Sequence, residues 1–138
     1  MRLRKNAKVD LLHAVPLFAS CSKAELDRIA SLADELDLAE GATLIREGER
    51  GREFLVIVNG SVSVTKRGKE VRELGAGDFI GEIALISDVP RTATVTATSP
   101  VRLLVVTDRA FRGLVEEMPS IATKVLQSLG ERLHADAV

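Results

Sequence analysis

The chain has 138 residues, 46% of them hydrophobic and 28% charged, which is enough for one domain with its own core and too few for two ordinary ones. Its 19 basic and 20 acidic side chains leave a formal net charge of -1, without the basic excess that drives binding to a phosphate polymer. Aromatic content is 3%, four Phe with no Trp and no Tyr, so the stacking platforms used by single-stranded nucleic-acid binders are mostly unavailable as well.

Val9, Leu11 and Leu12 predict a short opening helix stopped by Pro16. Ser22 followed by Glu25 is a capping box, and Leu26, Ile29, Ala30 and Ala33 recur at helical spacing, so a second helix is expected from Lys23 to Ala33. Residues 1–33 therefore read as a helical segment. From Glu35 the period changes to two: Leu36-Leu38, Leu44-Ile45, Phe54 to Val58, Val62-Val64 and Val71 are short β-rich runs separated by glycines. Asn59-Gly60, between two such runs, is the signature of a type I′ hairpin, and Arg67-Gly68 is expected to close the next one. Thr92 to Ala97 and Val101 to Val106 return as strands, with Thr92, Thr94 and Thr96 on one face and Ala93, Val95 and Ala97 on the other. Asp108 then caps a helix carrying Phe111, Leu114 and Val115, and Pro119 opens a last helix with Ile121, Val125, Leu126, Leu129 and Leu133. The expectation is one mainly β domain, a compact sandwich or barrel over 34–107, with helices at 1–33 and 108–138.

Gly77 to Ala93 breaks the strand period. Glu82 to Leu85 can form one helical turn, with Gly81 letting a ligand approach the backbone and free N–H groups facing outward toward an anion. Arg91 follows nine residues after Glu82, behind Pro90. A guanidinium paired with a phosphate supplies charge-assisted hydrogen bonds of about 1.5–3 kcal/mol each, and Thr92 adds a hydroxyl donor. Glu82 can accept from sugar hydroxyls.

Gly-Glu-Ile-Ala-Leu followed by Pro-Arg-Thr-Ala-Thr-Val resembles the phosphate-binding cassette of cyclic nucleotide-binding domains, as found in catabolite-activator-type regulators, the protein kinase A regulatory subunit and cyclic-nucleotide-gated channels. The resemblance extends from the Gly48 turn through Phe54 to Val62, Leu74 to Asp78, and the cassette at 80–93, to the Phe111 helix and Met118-Pro119. It implies a jelly-roll-like β-roll with N-terminal helices and a C-terminal lid helix. It further implies that Glu82 accepts from the ribose 2′-hydroxyl and that Arg91 pairs with the cyclic phosphate. The backbone of Gly81, Ile83, Ala84 and Ala93, with the Thr92 hydroxyl, would complete the cradle. Val71 and Arg72 correspond to positions beside the base, and Arg132 near the end of the last helix would cap it. The implied ligand is cAMP in preference to cGMP, with no other cofactor; Thr beside the cassette Arg keeps a syn guanine open.

Each of these residues has a plainer reading. An Arg after Pro at a strand entrance is by itself a solvated surface charge, and a Glu at a helix start is by itself a dipole partner. Their joint occurrence with Gly81 at this spacing favours a ligand. His13 and His134 stand at opposite ends of the chain and Cys21 is alone, so no metal site, iron–sulfur cluster or internal disulfide is expected, and a reducing cytoplasm fits best. No run of about 18 apolar residues predicts a membrane span. No nucleophile elbow or carboxylate pair suggests catalysis. The expected function is a regulatory sensor whose last helix moves on ligand binding and acts on an effector protein or domain outside these residues. Two alternatives stay open: a β-roll that dimerises or docks proteins without nucleotide, and a fragment of a catabolite-activator-type transcription regulator. Leu126, Leu129 and Leu133 fit either helix packing or a homodimer seam.

Overall fold

The structure, a computed structural model, describes residues 3–136, with side chains through residue 131. Residues up to Ala33 and from Arg109 onward form one compact unit, and Asp34–Asp108 forms the other.

In the helical unit, α1 (Lys5–His13) buries Val9 and Leu12 and ends ahead of Pro16, which opens a 3-10 turn, Pro16–Phe18. α2 (Lys23–Leu32) starts on the expected capping box: Glu25 N–H donates to Ser22 Oγ at 3.2 Å, and Ser22 N–H donates to Glu25 Oε1 at 2.7 Å. α3 (Asp108–Glu117) and α4 (Ser120–Asp136) follow the strands. The Phe18 and Phe111 rings lie 5.9 Å apart, tilted by 43°.

The capping carboxylate has a second task. Glu25 is only 3% exposed, and Lys124 Nζ lies 3.6 Å from its Oε1. Burial opposes its charge, yet hydrogen bonds from the Ser120 and Ser22 side chains and the Ser22 backbone, together with the Lys124 charge, outweigh burial and hold the carboxyl below its ordinary range. Ser128, also buried, accepts from Ser20 N–H at 3.3 Å. Ser120, Lys124 and Ser128 recur every four residues and so form one polar stripe along α4. Burial, reinforced by the Glu25 charge and opposed by Lys124, pushes the neighbouring Cys21 thiol up to about 11.

The strand unit comprises β1 (Asp34–Leu38), β2 (Thr43–Ile45), β3 (Glu53–Asn59), β4 (Val62–Lys66), β5 (Lys69–Leu74), β6 (Phe79–Ile80), β7 (Thr94–Ala97) and β8 (Val101–Thr107). They form two antiparallel sheets, ordered β1-β8-β3-β6 and β2-β7-β4-β5. This is the expected jelly-roll-like β-roll. Its core draws on both sheets, with Leu55, Ile57, Val101 and Leu103 from one and Ile45, Val62, Val64, Val95 and Ala97 from the other. Each of the Leu, Ile and Val side chains contributes about 1.5–3 kcal/mol by leaving water, and the Ala97 methyl contributes less. Val95 and Ala97 point inward and Thr94 and Thr96 are less buried, as the alternation predicts. β1 departs from its pattern: as an edge strand it leaves Leu36 43% exposed.

The Asn59-Gly60 hairpin is not formed. β3 pairs with β6 and β8 while β4 pairs with β5 and β7, so the dipeptide is a corner at which the chain changes sheets. A type I′ turn needs positive φ at both central residues, and among the described non-glycine residues only Arg67 has it. Gly60 is required on two counts: its φ is 98°, and a Cβ there would lie 2.4 Å from the Pro100 carbonyl oxygen. Arg67-Gly68, with φ of 53° and 79°, does make the expected hairpin between β4 and β5.

Candidate functional site

β6 is only two residues long, held by pairing with β3 and by Phe79, whose ring sits 6.3 Å from that of Phe54. The chain leaves it through Gly81 in the left-handed region, with φ 79° and ψ 26°, and enters the single 3-10 turn Glu82–Leu85. Ala84 N–H donates to the Gly81 carbonyl at 3.0 Å, so this amide is used within the turn. Ala84 and Leu85 are buried and anchor the turn, leaving Glu82 half-buried and Ile83 39% exposed.

The segment that follows is stitched to the loop between β2 and β3. Arg91 N–H donates to the Glu49 carbonyl at 2.7 Å, and Gly48 N–H donates to the Arg91 carbonyl at 2.8 Å. Arg50 and Pro90 form an isolated antiparallel bridge. Above it the Arg50 guanidinium makes a two-point contact with Asp88, Nε to Oδ1 and Nη2 to Oδ2.

Two glycines make room for the Arg91 side chain. A Cβ on Gly81 would lie 2.1 Å from Arg91 Nη1, and one on Gly51 would lie 2.9 Å from Nε. The side chain is 9% exposed, its Nη2 donating to the Glu53 carbonyl at 2.6 Å and standing 3.6 Å from Glu53 Oε2. Burial draws the guanidinium below its ordinary range, against the pull of the Glu53 carboxylate. A cation so placed, partly stripped of water, gains strongly from an incoming anion.

These elements enclose a cavity of about 610 Å³. Gly81, Glu82, Ile83, Ala84, Arg91, Thr92 and Ala93 line its cassette side, and Val71 and Arg72 line it from β5. The Arg132 side chain lies outside the described residues. Sequence reasoning missed Lys66, Val64 and Leu74 on the β4–β5 wall and Phe79, Ile45 and Val95 elsewhere in the lining. The period-two pattern carried part of that signal, because Val62, Val64 and Lys66 share one face of β4. Nothing in the sequence pointed to Glu53 as the partner of Arg91. The cavity thus offers a guanidinium for an anionic group, a carboxylate for hydroxyl donors and an apolar wall for a flat ring. Among the described residues no group of three His, Cys, Asp or Glu side chains could hold a metal ion, and no helix is long and apolar enough to cross a membrane.

Comparison with known proteins gives concordant matches. A family model described as "Cyclic nucleotide-binding domain" matches residues 35–118. A cAMP-dependent protein kinase regulatory subunit of Mycosarcoma maydis is 42% identical over 136 residues, covering 89% of this chain; the chain spans only 26% of that relative's length. Among solved structures, the N-terminal domain of a transcriptional regulator from Streptomyces coelicolor is 30% identical with a TM-score of 0.85, over 92% of this chain and 94% of that one. The regulatory domain of Toxoplasma gondii PKA, crystallised with cAMP, is 27% identical with a TM-score of 0.72, over 93% of this chain and 50% of that one.

Proposed function

The chain belongs to the cyclic nucleotide-binding domain family, and on that premise we propose that it is a non-catalytic sensor that binds cAMP in preference to cGMP and passes the signal to an effector through α4. The observation that carries this reading is the convergence of Glu82 and Arg91, together with Gly81 and Thr92, on one cavity. In the proposed complex Arg91 pairs with the cyclic phosphate, and Thr92 with backbone of the Gly81–Ala84 turn and Ala93 completes the cradle. Glu82 accepts from the ribose 2′-hydroxyl. The base lies against Val71 and its neighbours on the β4–β5 wall, and Arg132 caps it.

cGMP is the second reading, favoured by Thr92 and Arg72 lining the same cavity, since both are donors suited to the acceptor-rich edge of guanine. Ligand acts on α4 only so far as it binds one helix position better than another. The effector is a separate chain or a domain beyond these residues, as the kinase and transcription-regulator relatives suggest. A second copy is a further proposed partner, since Leu126 on α4 is 68% exposed. We place the protein in the cytoplasm.

Calorimetric titration with cAMP, cGMP and AMP, on the wild type and on Arg91→Ala, tests the reading. Saturable binding of a cyclic nucleotide, with AMP inert, is expected, and Arg91→Ala should weaken it by about 2–5 kcal/mol because the phosphate charge is left unpaired in its pocket. No heat with either cyclic nucleotide refutes the assignment and leaves a docking module. Hydrogen exchange along α4, with and without ligand, tests the helix movement.

A further inference from the structure

The two-point contact between Arg50 and Asp88 lies outside the cavity lining, and the proposed nucleotide chemistry does not use it. Its placement is specific. Asp88 stands three residues before Arg91, on the exposed stretch between the 3-10 turn and Pro90, and Arg50 stands three residues before Glu53, which holds the Arg91 guanidinium. Between them run the Arg50–Pro90 bridge and the two backbone hydrogen bonds that join Gly48 and Glu49 to Arg91. The ion pair therefore closes a short ladder whose other end is the guanidinium itself. A single pair exposed by 59% and 53% on its two sides adds little to global stability. A bidentate fork nevertheless fixes both distance and orientation, which is what a loop of this kind lacks.

We propose that Arg50 and Asp88 are positioning residues that clamp the cassette exit onto the β2–β3 loop and so preset Arg91 for the ligand phosphate. The proposal rests on reading the cavity as a nucleotide site. It makes a prediction opposite in sign to simple electrostatics. Asp88 is a negative charge near the site of an anion, so removing it without any clamp would tighten binding. If it acts through Arg50, removing it loosens the segment that carries Arg91, and binding weakens.

Asp88→Asn, Arg50→Gln and the double variant are titrated with cAMP and cGMP beside the wild type. Amide exchange of Arg91, whose N–H is bonded to Glu49, is followed in the free proteins. Asp88→Asn should weaken nucleotide binding about threefold to tenfold and speed Arg91 amide exchange by a similar factor, and the double variant should be no worse than the weaker single one. Tighter or unchanged binding in Asp88→Asn, or additive losses in the double variant, overturns the clamp. If the wild type binds neither nucleotide, the nucleotide reading fails by itself. The exchange measurement then decides, and an unchanged Arg91 rate in Asp88→Asn refutes the clamp.

Discussion

Gly81→Ala tests how the site is built, because two distinct penalties meet at one atom. The φ of 79° costs an L-residue with a Cβ about 1–2 kcal/mol relative to glycine. The new methyl would stand 2.1 Å from Arg91 Nη1 and 3.2 Å from the Glu53 carbonyl oxygen. The guanidinium is the end of a flexible side chain and can swing away, so the clash itself is relieved. Moving it, however, breaks the 2.6 Å bond to Glu53. A charge-assisted bond is worth about 1.5–3 kcal/mol net, and the low end applies because the freed guanidinium regains water. The sum is about 3 kcal/mol, or a fall in melting temperature of roughly 10 °C for a chain of this size. The assay is urea and thermal unfolding of wild type, Gly81→Ala, Arg91→Ala and the double variant. With Arg91 already gone, Gly81→Ala should cost only the dihedral share, about 1–2 kcal/mol. An equal cost in both backgrounds would show that Arg91 does not occupy the space that glycine leaves, and the account of the site would fall.

Both Gly60 and Gly68 have positive φ, so Gly68→Ala, with nothing within 4 Å, pays only about 1–2 kcal/mol of strain, whereas Gly60→Ala pays that and meets backbone at the sheet-changing corner, for a total of more than about 3 kcal/mol. Urea midpoints of the two variants check this, and equal losses would contradict the corner geometry. Glu25, held below its ordinary range, contributes stability that is complete above the unfolded-chain value of 4.5 and is lost as pH falls through the lower folded one. The difference in unfolding free energy between wild type and Glu25→Gln should therefore shrink below about pH 4.5. Cys21, raised to about 11, should resist alkylation at neutral pH in the folded protein and react once urea unfolds it, as a thiol-reagent time course would show.

Local structure is legible in the sequence where the residues carry their own geometry. Ser22 and Glu25 cap α2 in the way their spacing requires, and Arg67-Gly68 turns as its residues allow. That Gly81, Glu82 and Arg91 line one cavity is legible for the same reason, because they sit close in sequence. Asn59-Gly60 misled because partner choice across a roll is a long-range property: the same dipeptide serves a corner when the flanking strands find better neighbours in different sheets. Glu53 was invisible because its shortest contact with Arg91 uses a backbone carbonyl, which any residue possesses, and its carboxylate meets Arg91 only through the fold. The run at Leu36-Leu38 marks a strand but not its place in the sheet, and whether a strand lies at an edge is decided by the rest of the sheet.

The polar stripe of α4 makes its seat a ruled scale. Ser120 and Lys124 both supply Glu25, and Ser128 serves Ser20, so the marks along the helix stand one turn apart. A shift of four residues, about 6 Å, carries Lys124 to the place of Ser120 and Ser128 to the place of Lys124, and the buried carboxylate still meets two donors. Half a turn of rotation carries the stripe away and leaves that charge buried with only its Ser22 contacts. For the buried carboxylate alone, a slip of one turn therefore costs less than a half-turn rotation.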